Sequence, residues 1–134
     1  MSFANCLFVC FPIASCPVPV DFAFILDGSG SITPENWVRI KEFVKRIIDA
    51  FEVSPQDTQF ALLEYSDEPK VYLRFNDLKD AQLNVVNVKR KVEEILQSKG
   101  QTFIDKALDL ANQEIFTAES GMRPGVKKVS RPSR

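Results

Sequence analysis

The sequence has no histidine among its 134 residues, and only three cysteines, one tryptophan and five glycines. Without an imidazole there is no Ser/His/Asp or Cys/His relay for nucleophilic catalysis and no His-ligated zinc site. Cys6, Cys10 and Cys16 all fall near the start. An odd number cannot pair off internally, and no second cysteine cluster supplies zinc spacing. No apolar run reaches the roughly 18 residues of a membrane-spanning helix. An excess of one charge is missing too. The net is −1, so no overall field draws the chain to nucleic acid or to a membrane surface.

Charge is nevertheless unevenly placed. Residues 1–20 carry none, and residues 127–134 (KKVSRPSR) carry four basic groups and no acidic one. That leaves thirteen basic against 18 acidic residues in 21–126, a net of −5. The length suits one small domain and is too short for two. Cys6–Ala14 has the length of a signal-peptide apolar core but lacks the basic residues that precede one. Residues 1–15 therefore read as an apolar leader. It is either a secretion signal or a stretch without a structural role.

Within the middle, Asp21–Leu26 (DFAFIL) reads as a buried strand, apolar on both faces. Thr33-Pro34-Glu35 is a helix start: Thr33 as N-cap, Pro34 at the first position, Glu35 at the positive end of the dipole. Trp37, Ile40, Val44, Ile47, Ile48 and Phe51 follow on one helical face. Thr58–Tyr65 is a second strand. Val71–Phe75 is a third, antiparallel to it because the connection is short. Helices are predicted over 84–97, with Val85, Val88, Val92, Ile95 and Leu96 inward, and over 103–116, on Ile104, Ala107, Leu108, Ala111 and Ile115. Val126–Val129 begins a further strand that is expected to stop at Ser130. The order implies an open α/β sheet with a functional turn at the carboxyl end of the first strand.

That turn is Asp27-Gly28-Ser29-Gly30-Ser31. Its glycines allow a tight loop and close backbone approach. Its oxygens, one carboxylate and two hydroxyls, are hard donors suited to Mg²⁺, Mn²⁺ or Ca²⁺ rather than zinc. An alternative on these residues alone is a Gly/Ser turn capped by Asp27. Phosphate binding is disfavoured: neither phosphate-loop pattern is present, and Asp27 would repel the anion.

The stretch CPVPVDFAFILDGSGSITPENWVRIKEFV resembles the opening of a von Willebrand factor A domain, and most narrowly the I domain of a leukocyte-type integrin α chain. The DxSxS motif of that family stands at Asp27, Ser29 and Ser31, and its later Gly-x-Thr at Gly100-Gln101-Thr102. TQFALLEYS and VYLRF match its second and third strands, and residues 114–129 resemble the approach to its fourth. The resemblance covers about 16–129 and implies a Rossmann-like open sheet flanked by helices. It also implies a metal-ion-dependent adhesion site with Asp27, Ser29, Ser31 and Thr102 around Mg²⁺, or Mn²⁺ or Ca²⁺ in its place. On the residues alone, Thr102 would instead cap the following helix. The implied partner is a protein ligand presenting Glu or Asp, which completes the metal shell without any bond being broken. No enzymatic activity is implied. A metal-dependent phosphohydrolase would need an anchoring base and further carboxylates that are not apparent.

The family's later Thr-Asp-Gly motif has no counterpart, and Ile104 stands where a second Thr is common. We therefore expect the C-terminal half of the fold to be missing, the first strand to lie at or near a sheet edge, and Mg²⁺ binding to be weak or absent. Residues 1–15 and 130–134 are expected to lie outside the domain. Pyrimidine-rich codons at the start and a splice-donor-like Val129-Ser130 would fit intron read-through at both ends. In an intact integrin-type parent, an integrin β chain would be a partner and the location would be the extracellular face of the plasma membrane. The alternative is an extracellular matrix A-domain of the collagen or matrilin kind.

Overall fold

The computed structural model describes residues 19–132. Residues 1–18, with all three cysteines, and the last two residues lie outside the described residues. Strand β1 (Val20–Asp27) is buried along its whole length. Helix α1 (Pro34–Asp49) carries the chain over to β2 (Gln59–Tyr65), which pairs with β1 in parallel, Phe22 opposite Phe60 and Asp27 opposite Tyr65. A short connection makes β3 (Lys70–Leu73) antiparallel to β2. Helices α2 (Val85–Glu93) and α3 (Ile104–Glu114) follow, and then β4 (Lys127–Pro132). The sheet order is β3-β2-β1-β4.

The expected open α/β sheet is present, and β1, expected at or near its edge, is one strand in from it. It lies between β2 and β4, and β4 pairs with it in parallel from Val20–Lys127 to Ile25–Pro132. The final strand therefore does not stop at Ser130. The polar residues after Val129 hide its full extent from pattern reading, and long-range anchors support its pairing. The buried Asp21 carboxylate accepts from the Arg123 backbone N–H and Nε at 2.9 Å, and Lys128 Nζ stands 3.4 Å away. The same guanidinium donates to the carbonyls of Val20, Pro55 and Asp57.

Alternation in the central strands sorts the core into two layers. Phe22, Phe24, Leu26, Phe60 and Leu62 pack under Trp37, Val44, Ile47 and Ile48 of α1 and Val88 and Val92 of α2. Phe22 and Phe24 stack with centroids 4.7 Å apart. Each buried ring contributes about 2 kcal/mol through burial. On the other face, Ala23, Ile25, Ala61, Leu63 and Tyr65 meet Ala107, Ala111 and Ile115. Small residues on both sides let α3 lie close to the sheet. Three helices thus cover both faces of the sheet.

Thr33 caps α1 as expected, its Oγ1 accepting from the Asn36 N–H at 3.2 Å. Asn84 caps α2 in the same way. Helix α2 ends at Glu93 and not at 97. Ile95 turns into the core while Leu96 is 72% exposed, contrary to its inward assignment. Beyond Glu93 the chain leaves the helix, and Gln97 reaches the loop after β1. Ile104 and Leu108 of α3 are also largely exposed, because the alanines and Ile115 take the inward positions.

Candidate metal centre

The hydrogen-bonded end of β1 delivers Asp27 into the interior, fully buried. Its Oδ1 accepts the N–H of Ser29 at 2.9 Å, which folds the loop back over the strand end. Ser29 is 2% exposed, and its Oγ lies 3.2 Å from Ser31 Oγ. Ser31 and Thr102 are exposed. The donor set therefore runs outward, from a buried carboxylate through a buried hydroxyl to exposed ones.

Gly28 and Gly30 are present for space. Neither has the left-handed backbone that would demand glycine. A Cβ at Gly28 would sit 1.9 Å from Glu64 Oε2, and one at Gly30 would sit 2.9 Å from the Lys99 carbonyl. The loop is pressed between the end of β2 and residues 97–100. Backbone bonds stitch that seam: Gly28 N–H to Tyr65 O, Lys99 N–H to Gly28 O and Gly30 N–H to Gly100 O, each 2.8 Å. Lys99 adopts φ 66°, a conformation unfavourable for a side-chain-bearing residue, and the bond to Gly28 holds it there.

The structure thus joins Asp27, Ser29 and Ser31 in one loop and brings residues 97–100 against it. Thr102 lies two residues past that seam. It does not cap α3: the cap position is Phe103, which makes no side-chain cap bond. The alternative role for Thr102 therefore falls away.

Several polar residues at the site escaped sequence reasoning. Glu64 is 2% exposed at the end of β2 and accepts from the backbone N–H of Ser98 at 3.1 Å and from its hydroxyl. Ser98 is hydrogen-bonded in turn to Ser66. Gln97 donates to the Ser29 and Ile32 carbonyls. Asp67 Oδ1 accepts the Gln101 N–H at 2.8 Å. The one available signal was Glu64 itself, a lone charge in an apolar strand. Among the described residues, no Lys or Arg forms an ion pair with Glu64. Burial pushes the Tyr65 phenol above its ordinary 10, so it supplies no anion at neutral pH.

Among the described residues, no group of three His, Cys, Asp or Glu side chains is arranged for a metal. The candidate shell rests on hydroxyls with one carboxylate. Two oxygens bound side by side on octahedral Mg²⁺, each at about 2.1 Å, lie about 3.0 Å apart. The 3.2 Å between the Ser29 and Ser31 hydroxyls is compatible with such a pair. The donor chemistry and spacing fit a divalent cation.

A profile of the von Willebrand factor type A domain matches residues 21–130. Matrilin-3 of Mus musculus is 32% identical over 111 residues, covering 83% of this chain and 22% of matrilin-3. Integrin alpha-2 of Mus musculus is 30% identical over 118 residues, covering 87% of this chain and 10% of the integrin. The chain thus spans a small part of the curated relatives it matches. A solved structure of proximal thread matrix protein 1 from the mussel byssus, with a zinc-occupied MIDAS motif, has TM-score 0.78 and 30% identity. The match covers 90% of this chain and 29% of that one. Zinc in that protein shows that such a motif does not exclude it. Zinc also accepts oxygen ligands.

Proposed function

This chain belongs to the von Willebrand factor type A domain family, and on that premise we propose that it is a non-catalytic binding module. It captures an acidic side chain of a protein ligand through a divalent cation at the loop after β1. Asp27, Ser29, Ser31 and Thr102 would hold the ion, which supplies a positive centre able to accept an external carboxylate. The observation that carries this reading is the paired Ser29 and Ser31 hydroxyls above the buried Asp27, opening outward at Ser31. Few fixed negative charges in the shell leave the cation attractive to a carboxylate from outside. The same scarcity makes Mg²⁺ affinity weak. Mg²⁺, Mn²⁺, Ca²⁺ and zinc are the ions to compare.

The setting we propose is extracellular. Two versions of the function fit the family. One is an integrin-type adhesion module, whose parent would pair with an integrin β chain and be membrane-anchored. The other is a matrix A-domain, favoured by the similarity to matrilin-3 and to the byssal matrix protein.

Calorimetric titration of the full chain with each ion, followed by an acidic peptide, tests the shared reading. We expect saturable, weak cation binding, peptide binding only in its presence, and loss of both in Ser29→Ala. Peptide capture that ignores chelation would overturn it. So would phosphate-ester turnover that depends on Asp27.

A further inference from the structure

We propose that Gln97 is a positioning residue for the cation loop, holding Ser31 in register with Ser29. This rests on the reading of that loop as a cation site. One Gln97 Nε2 donates to two carbonyls that bracket Ser31: Ser29 O at 3.0 Å and Ile32 O at 2.8 Å. A primary amide has two N–H bonds, so both are spent on this loop. The Ser29 carbonyl also accepts the Ile32 N–H at 3.1 Å, which closes the turn whose ends Gln97 joins.

Gln97 is itself held. Its neighbour Ser98 is bound through backbone and side chain to the buried Glu64. Lys99 and Gly100 exchange backbone bonds with Gly28 and Gly30. The clamp therefore runs from the end of β2, through residues 97–100, to the two carbonyls beside Ser31. Ser31 is exposed and lies outside any helix or strand. Apart from its contact with Ser29, its hydroxyl position is set by this turn. The early end of α2 also gains a reason: a helix continued through 97 would not deliver this amide to the loop.

Groups that orient metal ligands without touching the metal typically contribute ten- to a hundredfold in affinity. The experiment compares the full-length wild type, Gln97→Met and Ser29→Ala. Gln97→Met keeps the length of the side chain and removes its donors. Mn²⁺ affinity is measured by electron paramagnetic resonance, and amide exchange at Gly30 and Ile32 is measured without metal. We expect Gln97→Met to bind Mn²⁺ about tenfold more weakly and to exchange faster at both amides. Its metal-free thermal midpoint should stay near that of the wild type.

Unchanged affinity in Gln97→Met, with binding lost in Ser29→Ala, overturns the role of Gln97 and leaves the cation reading standing. Wild-type binding undiminished in Ser29→Ala, or no binding by the wild type, overturns the cation reading and this role with it. Should Gln97→Met fail to fold, the wild-type protein decides. Slowly exchanging, non-equivalent Gln97 side-chain amide protons support the clamp. A freely exchanging pair overturns it.

Discussion

Asp21 and Asp27 stand on the same face of β1, six residues apart, and both are fully buried. At the base of the strand, Asp21 is met by two cations of the chain, Arg123 and Lys128. At the other end, Asp27 accepts a backbone N–H and shares its loop with two hydroxyls and two glycines. A buried carboxylate is costly unless its charge is compensated. At Asp21 the compensating charges are covalently part of the protein, and the result is a fixed seam between β1 and β4. At Asp27 the loop folds back through a backbone N–H and presents two hydroxyls that run outward to the exposed Ser31, an arrangement suited to a cation shared with a ligand.

The largest test of this contrast is a pair of substitutions. Asp21→Ala should lower the unfolding free energy by about 3 kcal/mol, because Arg123 and Lys128 lose their buried partner. Asp27→Asn should abolish cation binding while costing much less in metal-free stability. Urea unfolding without metal, alongside Mn²⁺ titration, checks both. Equal costs at the two positions would break the comparison.

A smaller effect is expected at Gly28. Gly28→Ala drives a methyl group into the Glu64 carboxylate. It should destabilise the protein by about 2 kcal/mol. Part of that cost should be recovered in the Gly28→Ala, Glu64→Ala double variant, measured as a coupling energy in a double-mutant cycle. Full additivity would mean that the space beside Asp27 is not reserved for Glu64.

The smallest effect belongs to an exposed pair. The Lys45 ammonium, hydrogen-bonded to Glu93, holds that carboxyl below its ordinary 4.5, and the same bond lifts Lys45 above 10.5. Stability from the Glu93 side is complete above pH 4.5 and lost as pH falls through its lowered value. From the Lys45 side it is complete below pH 10.5 and lost as pH rises through its raised value. Glu93 is half exposed, so the pair should contribute only about 0.5 kcal/mol, reduced further by salt. Denaturant midpoints of Glu93→Gln and wild type, at pH 7 and at pH 3 with and without added salt, measure it. An effect as large as that of Asp21→Ala would make burial irrelevant to the contrast.

Short-range features were legible in the sequence. Phe22, Phe24 and Leu26 alternating with Ala23 and Ile25 marked a strand covered on both faces. Thr33-Pro34-Glu35 marked the helix start, and DGSGS marked the loop. What escaped depends on polar contacts between distant positions. Glu64 meets Ser98, 34 residues on, and Gln97 meets Ser29, 68 residues back. Such contacts leave no period in the sequence. β4 was expected to begin at Val126, and its continuation past Ser130 was missed for a related reason. Lys127, Lys128, Ser130, Arg131 and Pro132 look unlike a strand beside a buried one. Its place is settled by Asp21, at the other end of the described chain.

That last tie also bears on the order of folding. The Asp21–Arg123 contact joins residues 102 positions apart. Closing so long a loop requires prior loss of chain entropy, and contacts of high sequence separation slow folding. During synthesis, β1 and β2 are complete well before Arg123 emerges, so for an interval one edge of β1 has no strand beside it. The Phe-rich strand that later becomes central is then the segment most exposed to wrong pairing with other nascent chains.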